Sequence, residues 1–351
     1  VTNTYDPLTS LQQGHWFKLI CGASFQDLPT IRSLAIAYAL AGADCIDVAA
    51  DPAVIEAVRE ALAVAQKLKT HDRSSLPWLM VSLNDGEDPH FRKAEFDPLL
   101  CPVDCPRPCE SICPAQAIDA TGVIDRRCYG CGRCLPICPS QLIFARSRVS
   151  SPSVVADLLR PLDIDAIEIH TSVGHYHDFQ RLWAAIASWS NRLKLLAISC
   201  PDDPDVIDYL QALYNLIQPL PCTLLWQTDG RPMSGDIGAG TTHAAVKMAE
   251  KVLASNLKGY VQLAGGTNAY TVTKLKVEGK IAPSSQPHVA GIAYGSYARS
   301  LLLPIISCLE TEFKNRETNR PQKIENCPEI LDRAVQKAVE LVSQLKSGVN
   351  D

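Results

Sequence analysis

Short apolar runs separated by amphipathic stretches recur along most of the chain. Trp16 to Cys21 (WFKLIC) is an apolar run of strand length. Asp27 then offers an N-cap side chain, and Pro29 stands where a first helical turn tolerates proline. Ile31, Leu34, Ala35, Tyr38 and Ala39 recur at helical spacing until Gly42 ends the helix. Ala43 to Ala49 predicts a second strand, Asp51-Pro52 opens a helix reaching Lys69, and Pro77 to Leu83 predicts a third strand. This β-α-β-α-β order implies parallel strands with right-handed crossovers.

The alternation breaks at the polar stretch NDGEDPHFRKAEFDP and resumes after Ser150. Helices are predicted over Val154 to Leu159, Phe179 to Trp189, Asp205 to Ile217 and Thr242 to Ala254, with a short one from Tyr270 to Lys276. Strands are predicted over Asp165 to His170, Leu193 to Ser199, Cys222 to Gln227, Gly259 to Ala264 and Val289 to Ala293. A helix into Leu303 and an amphipathic one from Glu329 to Leu345 close the pattern. Three strands before the break and five after it make the eight that close a TIM-type (β/α)8 barrel. The expected organisation is therefore α/β: residues 1–94 as the first part of the barrel, 95–150 as an insert, and 151–351 as the remainder with a C-terminal helix. Two α/β lobes flanking the insert are the alternative.

The insert carries eight of the fourteen cysteines. Cys128-x2-Cys131-x2-Cys134-x3-Cys138-Pro139 is the spacing that wraps three thiolates around one iron–sulfur cube and sends the fourth to a neighbour. Gly130 and Gly132 let backbone amides turn toward the sulfurs. The other group is wider: Cys101-x3-Cys105-x3-Cys109-x3-Cys113-Pro114. Its tail, ICPAQAI, repeats as ICPSQLI, with Cys113 and Cys138 25 residues apart. This is the pseudo-twofold plan of a two-cluster ferredoxin-like module. It predicts two four-iron (4Fe-4S) clusters, one on Cys113, Cys128, Cys131 and Cys134, the other on Cys101, Cys105, Cys109 and Cys138. A zinc site or a disulfide framework is the alternative.

An insertion after a barrel strand lies on the C-terminal face, where barrel active sites are built. If Ile46, Val48, Ile167 and Ile169 face the helices, strand parity turns Asp47, Glu168 and His170 into the lumen, where they could bind a polar ligand or act as acid and base. Ser82, Asn84, Gln227 and Gln262 are further polar residues near strand ends. Gly265-Gly266 and Gly295-Ser296 follow the last two strands, where barrels often hold phosphate; they are candidates for phosphate or flavin mononucleotide (FMN). Lys18, Lys194 and Lys258 read as strand-start residues on the wrong face for Schiff-base chemistry. His175 and His177 are weaker metal candidates in a solvated loop. Cys21, Cys45, Cys200, Cys222, Cys308 and Cys327 read as small buried hydrophobes.

Composition narrows the class. The 351 residues are 46% hydrophobic and 20% charged, with net charge −5 and pI about 5.9. No nucleic-acid or anionic-membrane partner is implied. The first residues, VTNTYDPLTS, lack the basic start and apolar core of a secretory leader, and no apolar run reaches membrane-spanning length. A reducing, cytoplasmic setting without a transmembrane segment is expected. Charge within the insert is arginine-biased: Arg107, Arg126, Arg127, Arg133, Arg146 and Arg148 face Asp104, Glu110, Asp119 and Asp125. These arginines either offset cluster charge or form a docking face.

LICGASFQDLPTIRSLAIAYALAGADCIDVAADP, the cysteine insert, WQTDGRPMSGDIGAGTTHAAVKMA and VQLAGGTNAYTV together resemble the cyanobacterial light-dependent period (LdpA) family over essentially the full chain. The resemblance implies an iron–sulfur protein that relays light-dependent cellular redox state to the circadian clock. It also implies clock partners, including an input histidine kinase and Kai components. A quinone or redox protein is a further candidate partner. The competing class is a flavin-dependent barrel oxidoreductase fed electrons by the insert.

Overall fold

The computed structural model describes residues 6–21, 28–69, 75–86, 92–113, 116–125, 127–128, 132–147, 163–230, 238, 240–281, 287–311 and 323–346. The apolar runs become eight parallel strands: β1 (Trp16–Ile20), β2 (Cys45–Ala49), β3 (Trp78–Asn84), β8 (Ala166–His170), β9 (Leu195–Pro201), β10 (Thr223–Asp229), β11 (Tyr260–Ala264) and β12 (Gly291–Tyr294). They close in the order β1-β2-β3-β8-β9-β10-β11-β12, with β12 returning to β1. β3 pairs directly with β8 across the insert, Ser82 opposite Glu168 and Asn84 opposite His170. That pairing makes one barrel and excludes two separate lobes.

Strand parity divides the apolar residues between two cores. Phe17, Leu19, Ile46, Val48, Ile167, Ile169, Ile198 and Tyr294 pack outward against the helices. Trp16, Cys45, Trp78, Met80, Leu195 and Leu225 form a smaller cluster with Leu11 of the N-terminal helix Pro7–Gln12. Helix Leu28–Leu40 is buried around most of its circumference because it packs on the barrel and against helices Pro52–Leu68 and Pro328–Lys346. A helix covered on several sides needs apolar residues on several faces, as here. Helix Pro52–Leu68 starts at Asp51, whose Oδ1 accepts from Ala53 N at 2.8 Å.

The insert leaves the barrel after β3. β4 (Arg92–Glu95) runs antiparallel to β7 (Phe144–Ser147), with Ala94 opposite Ala145, so the two ends of the excursion lie side by side. Between them lie the short hairpin β5 (Ile118–Asp119) and β6 (Gly122–Val123) and the packed helices Pro108–Ile112 and Cys134–Ile137. The insert's own apolar core centres on Ala94, Cys109, Ile118, Cys134 and Ile143. The polar/apolar pattern did not announce β4–β7 or helix Pro7–Gln12, all of them too short to show a period. The expected helix from Val154 to Leu159 lies outside the described residues.

Candidate functional site

The cysteine region folds as two halves related by the 25-residue repeat. Helix Pro108–Ile112 carries Cys109, and helix Cys134–Ile137 starts with its counterpart, Cys134; the two cysteines are 8% and 6% exposed. Before the helices, Arg107 at φ 50° and Gly132 at φ 72° share the left-handed region. After them, Gln116 N donates to Cys113 O and Gln141 N to Cys138 O, both at 3.1 Å, with Gln116 and Gln141 also left-handed. Gly130 and Cys131 lie outside the described residues.

These turns aim backbone amides at sulfur. Ala117 N donates to Cys113 Sγ at 3.2 Å, and Ala94 N to Cys128 Sγ at 3.4 Å. Burial raises the Cys138 thiol, but amides of residues 140–143 outweigh it and hold the pKa below the ordinary thiol value. Amide donors favour the thiolate, the form that binds metal. Cys101 lies against Cys105 and within the electrostatic reach of Cys138; desolvation and these two sulfurs push its thiol up. Cys109 also feels Cys138. Cys101, Cys105, Cys109 and Cys138 are thus electrostatic neighbours, and Cys109, Cys113, Cys128, Cys134 and Cys138 all border the same small core. Among the described residues no three His, Cys, Asp or Glu side chains converge as they would around a single ion. Thiolates with amide support are a donor set suited to iron and sulfide.

The described arginines of the insert bond within the protein. Arg107 pairs with Glu110 at 3.2 Å, Arg146 with Glu95 at 3.0 Å, and Arg127 donates to Gln116 O at 3.2 Å. Arg126 and Arg148 lie outside the described residues.

Asp47, Glu168 and His170 all point into the barrel lumen, and the sequence reading of Lys18 is corrected there. Lys18 is in the middle of β1, fully buried, and faces inward among the carboxylates. Its Nζ contacts Glu168 Oε2, lies 3.1 Å from Asp47 Oδ2 and donates to Gln227 Oε1 at 2.9 Å. The reading failed because Lys18 belongs to the inward set of Trp16, Lys18 and Ile20, whereas the apolar flanks Phe17 and Leu19 face the helices. Gln227 Nε2 donates to Glu168 Oε1 at 2.7 Å, Gln262 Nε2 to Gln227 Oε1 at 2.6 Å, and Trp16 Nε1 to Gln262 Oε1 at 2.6 Å. Ser82 Oγ donates to Asp47 Oδ1 at 2.6 Å.

Two lumen residues escaped the sequence reading, Ser199 and Asp229. His170 Nδ1 lies 3.0 Å from Ser199 Oγ, which donates to Asp229. Burial raises the Asp229 carboxyl despite His170, Ser199, Lys18 and Gln227. Asp229 was legible by parity with Leu225 and Gln227, but the predicted strand stopped at Gln227. The lower lumen is a closed hydrogen-bonded set. His170, with its side chain 28% exposed, opens toward the mouth.

At the rim, Gly265 and Gly266 are left-handed (φ 65° and 99°), and a Cβ on Gly266 would sit 2.9 Å from Thr241 O. Local packing therefore accounts for that glycine. Gly295 and Ser296 lead into helix Ser296–Ile306, where Arg299 donates to Ile20 O and Ser296 Oγ, both at 3.0 Å. His175 Nδ1 lies 3.2 Å from Asp85 Oδ1. Lys194 pairs with Asp165 before β9. Burial pushes Cys21 and Cys200 up to about 12, as expected for inert core thiols. A cleft of about 440 Å³ lined by Arg59, Gln66, Trp78, Asp165 and Lys194 lies at the N-terminal ends of the strands, opposite the insert. Among the described residues no helix is long and apolar enough to cross a membrane.

Comparison with known proteins agrees with this geometry. The LdpA Fe-S cluster-binding domain family matches residues 101–149, and the Light dependent period A C-terminal domain family matches residues 158–344. A Light dependent period A protein of Synechococcus elongatus is 54% identical over 98% of this chain and 94% of its own length. An uncharacterized ferredoxin of Methanocaldococcus jannaschii is 36% identical over 22% of this chain and 50% of its own length. The insert is an iron–sulfur-binding domain held on an α/β barrel, and the chain belongs to the Light dependent period A family.

Proposed function

We propose that this protein is a cytoplasmic redox sensor that carries two four-iron clusters and relays light-dependent redox state to circadian clock proteins. An input histidine kinase and Kai components are the partner class. The carrying observation is the pseudo-twofold insert: paired left-handed turns direct amides at Cys113 and Cys138, and the apolar face of each short helix buries Cys109 or Cys134. On this reading Cys113, Cys128, Cys131 and Cys134 hold one cluster and Cys101, Cys105, Cys109 and Cys138 the other. The clusters supply a one-electron change of state. The chain's amides stabilise the thiolates, and the barrel gives the insert a rigid seat. The test is anaerobic purification with iron and sulfide analysis and electron paramagnetic resonance (EPR), followed by capture of the clock proteins by oxidised and reduced protein. Two cluster signals and redox-dependent capture support the reading. Absence of clusters, or capture indifferent to redox state, overturns it.

One observation favours a second reading, a flavin-dependent oxidoreductase. Arg299 is half-buried beside Gly295-Ser296 at a helix N-terminus, and among the described residues no carboxylate pairs with it. Burial lowers its pKa, so an anion there, such as the phosphate of FMN, would favour the charged guanidinium. Denaturing the protein and recording the visible spectrum of the supernatant decides this: released flavin supports it, and a colourless supernatant rejects it.

A further inference from the structure

Lys93 joins the barrel to the insert. It is on β4 and only 5% exposed. Lysine is rarely buried without partners, and here the partners come from both sides of the junction. Nζ lies 2.9 Å from Asp51 Oδ2 at the end of β2, the residue that caps helix Pro52–Leu68. Nζ also donates to Asp125 O of the insert at 2.7 Å. The next amide along β4, Ala94 N, donates to Cys128 Sγ at 3.4 Å. One buried positive charge therefore lies between the barrel rim and Asp125, three residues before Cys128, on the strand whose next amide bonds the Cys128 sulfur. A junction needing only adhesion would be served as well by apolar side chains, because burying an ion pair carries a desolvation cost. A charge at this place also acts on any neighbouring group whose own charge changes, and it does so strongly out of water.

Resting on the redox reading above, we propose that Lys93 is a positioning residue that sets the reduction potential of the cluster held by Cys128 and links that cluster's charge to Asp51 on the barrel rim. With a cluster bound there, one electron from an external one-electron reductant would make it more negative by one unit, and no bond or proton at Lys93 would change. The Lys93 ammonium stabilises the reduced form, and the Asp51 carboxylate opposes it. A more negative cluster would compete with Asp51 Oδ2 for the Lys93 ammonium, and Asp51, through its Oδ1, caps helix Pro52–Leu68.

The experiment uses full-length, anaerobically prepared protein in which iron content has first been confirmed. Lys93→Met, Lys93→Arg and Asp51→Asn are titrated with dithionite and followed by EPR. Lys93→Met should lower the reduced-to-oxidised ratio of one cluster at fixed potential by roughly threefold to tenfold. Asp51→Asn should raise that ratio, and Lys93→Arg should stay near wild type. Shifts of opposite sign at equal iron content are the outcome a merely structural contact would not give. Unchanged ratios, or shifts of the same sign, overturn the inference while leaving the redox reading intact. If Lys93→Met loses its iron, the sign of the Asp51→Asn shift decides. Wild-type protein without clusters overturns the redox reading and this inference together.

Discussion

Gln116 and Gln141, 25 residues apart, hold the same left-handed backbone, at φ 49° and 51°. Each follows a cysteine by three residues, and each turns the chain so that following amides face that cysteine's sulfur. The sequence repeat around Cys113 and Cys138 is thus a repeat of backbone conformation, held in a region that residues other than glycine enter at a cost.

That cost makes Gln141 a sensitive position. Gln141→Gly should leave the insert as stable or slightly more so, since glycine takes φ 51° freely. Gln141→Val should destabilise it by about 1–3 kcal/mol, because a β-branched side chain is strained there. The rate of iron release to a chelator compares the two. Equal release from both variants would mean that this turn does not hold Cys138.

The lumen network predicts a different response. Lys18→Met keeps the volume but leaves Glu168 and Asp47 facing each other without their cation. Removing one member of a buried ion pair costs about 3–5 kcal/mol. Adding Glu168→Gln should recover part of that loss, since one uncompensated charge disappears. Denaturant melts of both variants check this. If the double variant is less stable than the single, Glu168 stabilises the barrel by contacts other than its charge.

The barrel was legible in the sequence because each buried strand is a run such as CIDVA or AIEIH bounded by turn residues, and eight runs leave few alternatives. The inward direction of Asp47, Glu168 and His170 followed from the same parity. Lys18 was misplaced for want of that parity, since a charged residue within WFKLI reads as a strand edge until its neighbours are assigned to the outer layer. That the cysteine-rich stretch is an iron–sulfur-binding domain was legible from spacing alone. The Lys93–Asp51 contact was not: it joins residues 42 positions apart through a four-residue strand that no periodicity marks. Long-range pairing of polar side chains is fixed by the closed topology, which a local pattern cannot express.

The contact of Glu325 with Arg32 gives a pH prediction. Arg32 donates to both Glu325 oxygens, at 2.8 and 2.6 Å, tying the turn before helix Pro328–Lys346 to helix Leu28–Leu40. Burial raises the Glu325 carboxyl, but the Arg32 bonds outweigh it and the pKa ends below its ordinary 4.5. A depressed folded pKa contributes stability above the unfolded value, and the contribution is lost as pH falls through the folded value. Glu325→Gln should therefore lower stability by about 1 kcal/mol near neutrality. The gap from wild type should close as pH drops below about 4.5. Denaturant melts of metal-free protein across this range test it, and a gap that widens in acid would contradict the assignment.

The two cysteine neighbourhoods predict unequal consequences of losing a ligand. Cys134 is 6% exposed and belongs to the core of the insert, whereas Cys101 sits on the outer loop beside Leu99, Leu100 and Val103, which are 90%, 63% and 104% exposed. A module with so small an apolar core depends on its metal for order. On the proposed two-cluster reading, Cys134→Ser should remove about half of the iron and make the insert cleavable by protease, since a ligand and a packing group are lost together. On the same reading, Cys101→Ser removes a ligand from a loop that, among the described residues, contributes no side chain to the insert's core. It should convert one cluster to a three-iron form, visible by EPR, while β4 and β7 stay paired and protease-resistant. If Cys101→Ser instead leaves the spectrum and iron content unchanged, Cys101 is not a ligand, and the fourth position beside Cys105, Cys109 and Cys138 is filled from elsewhere.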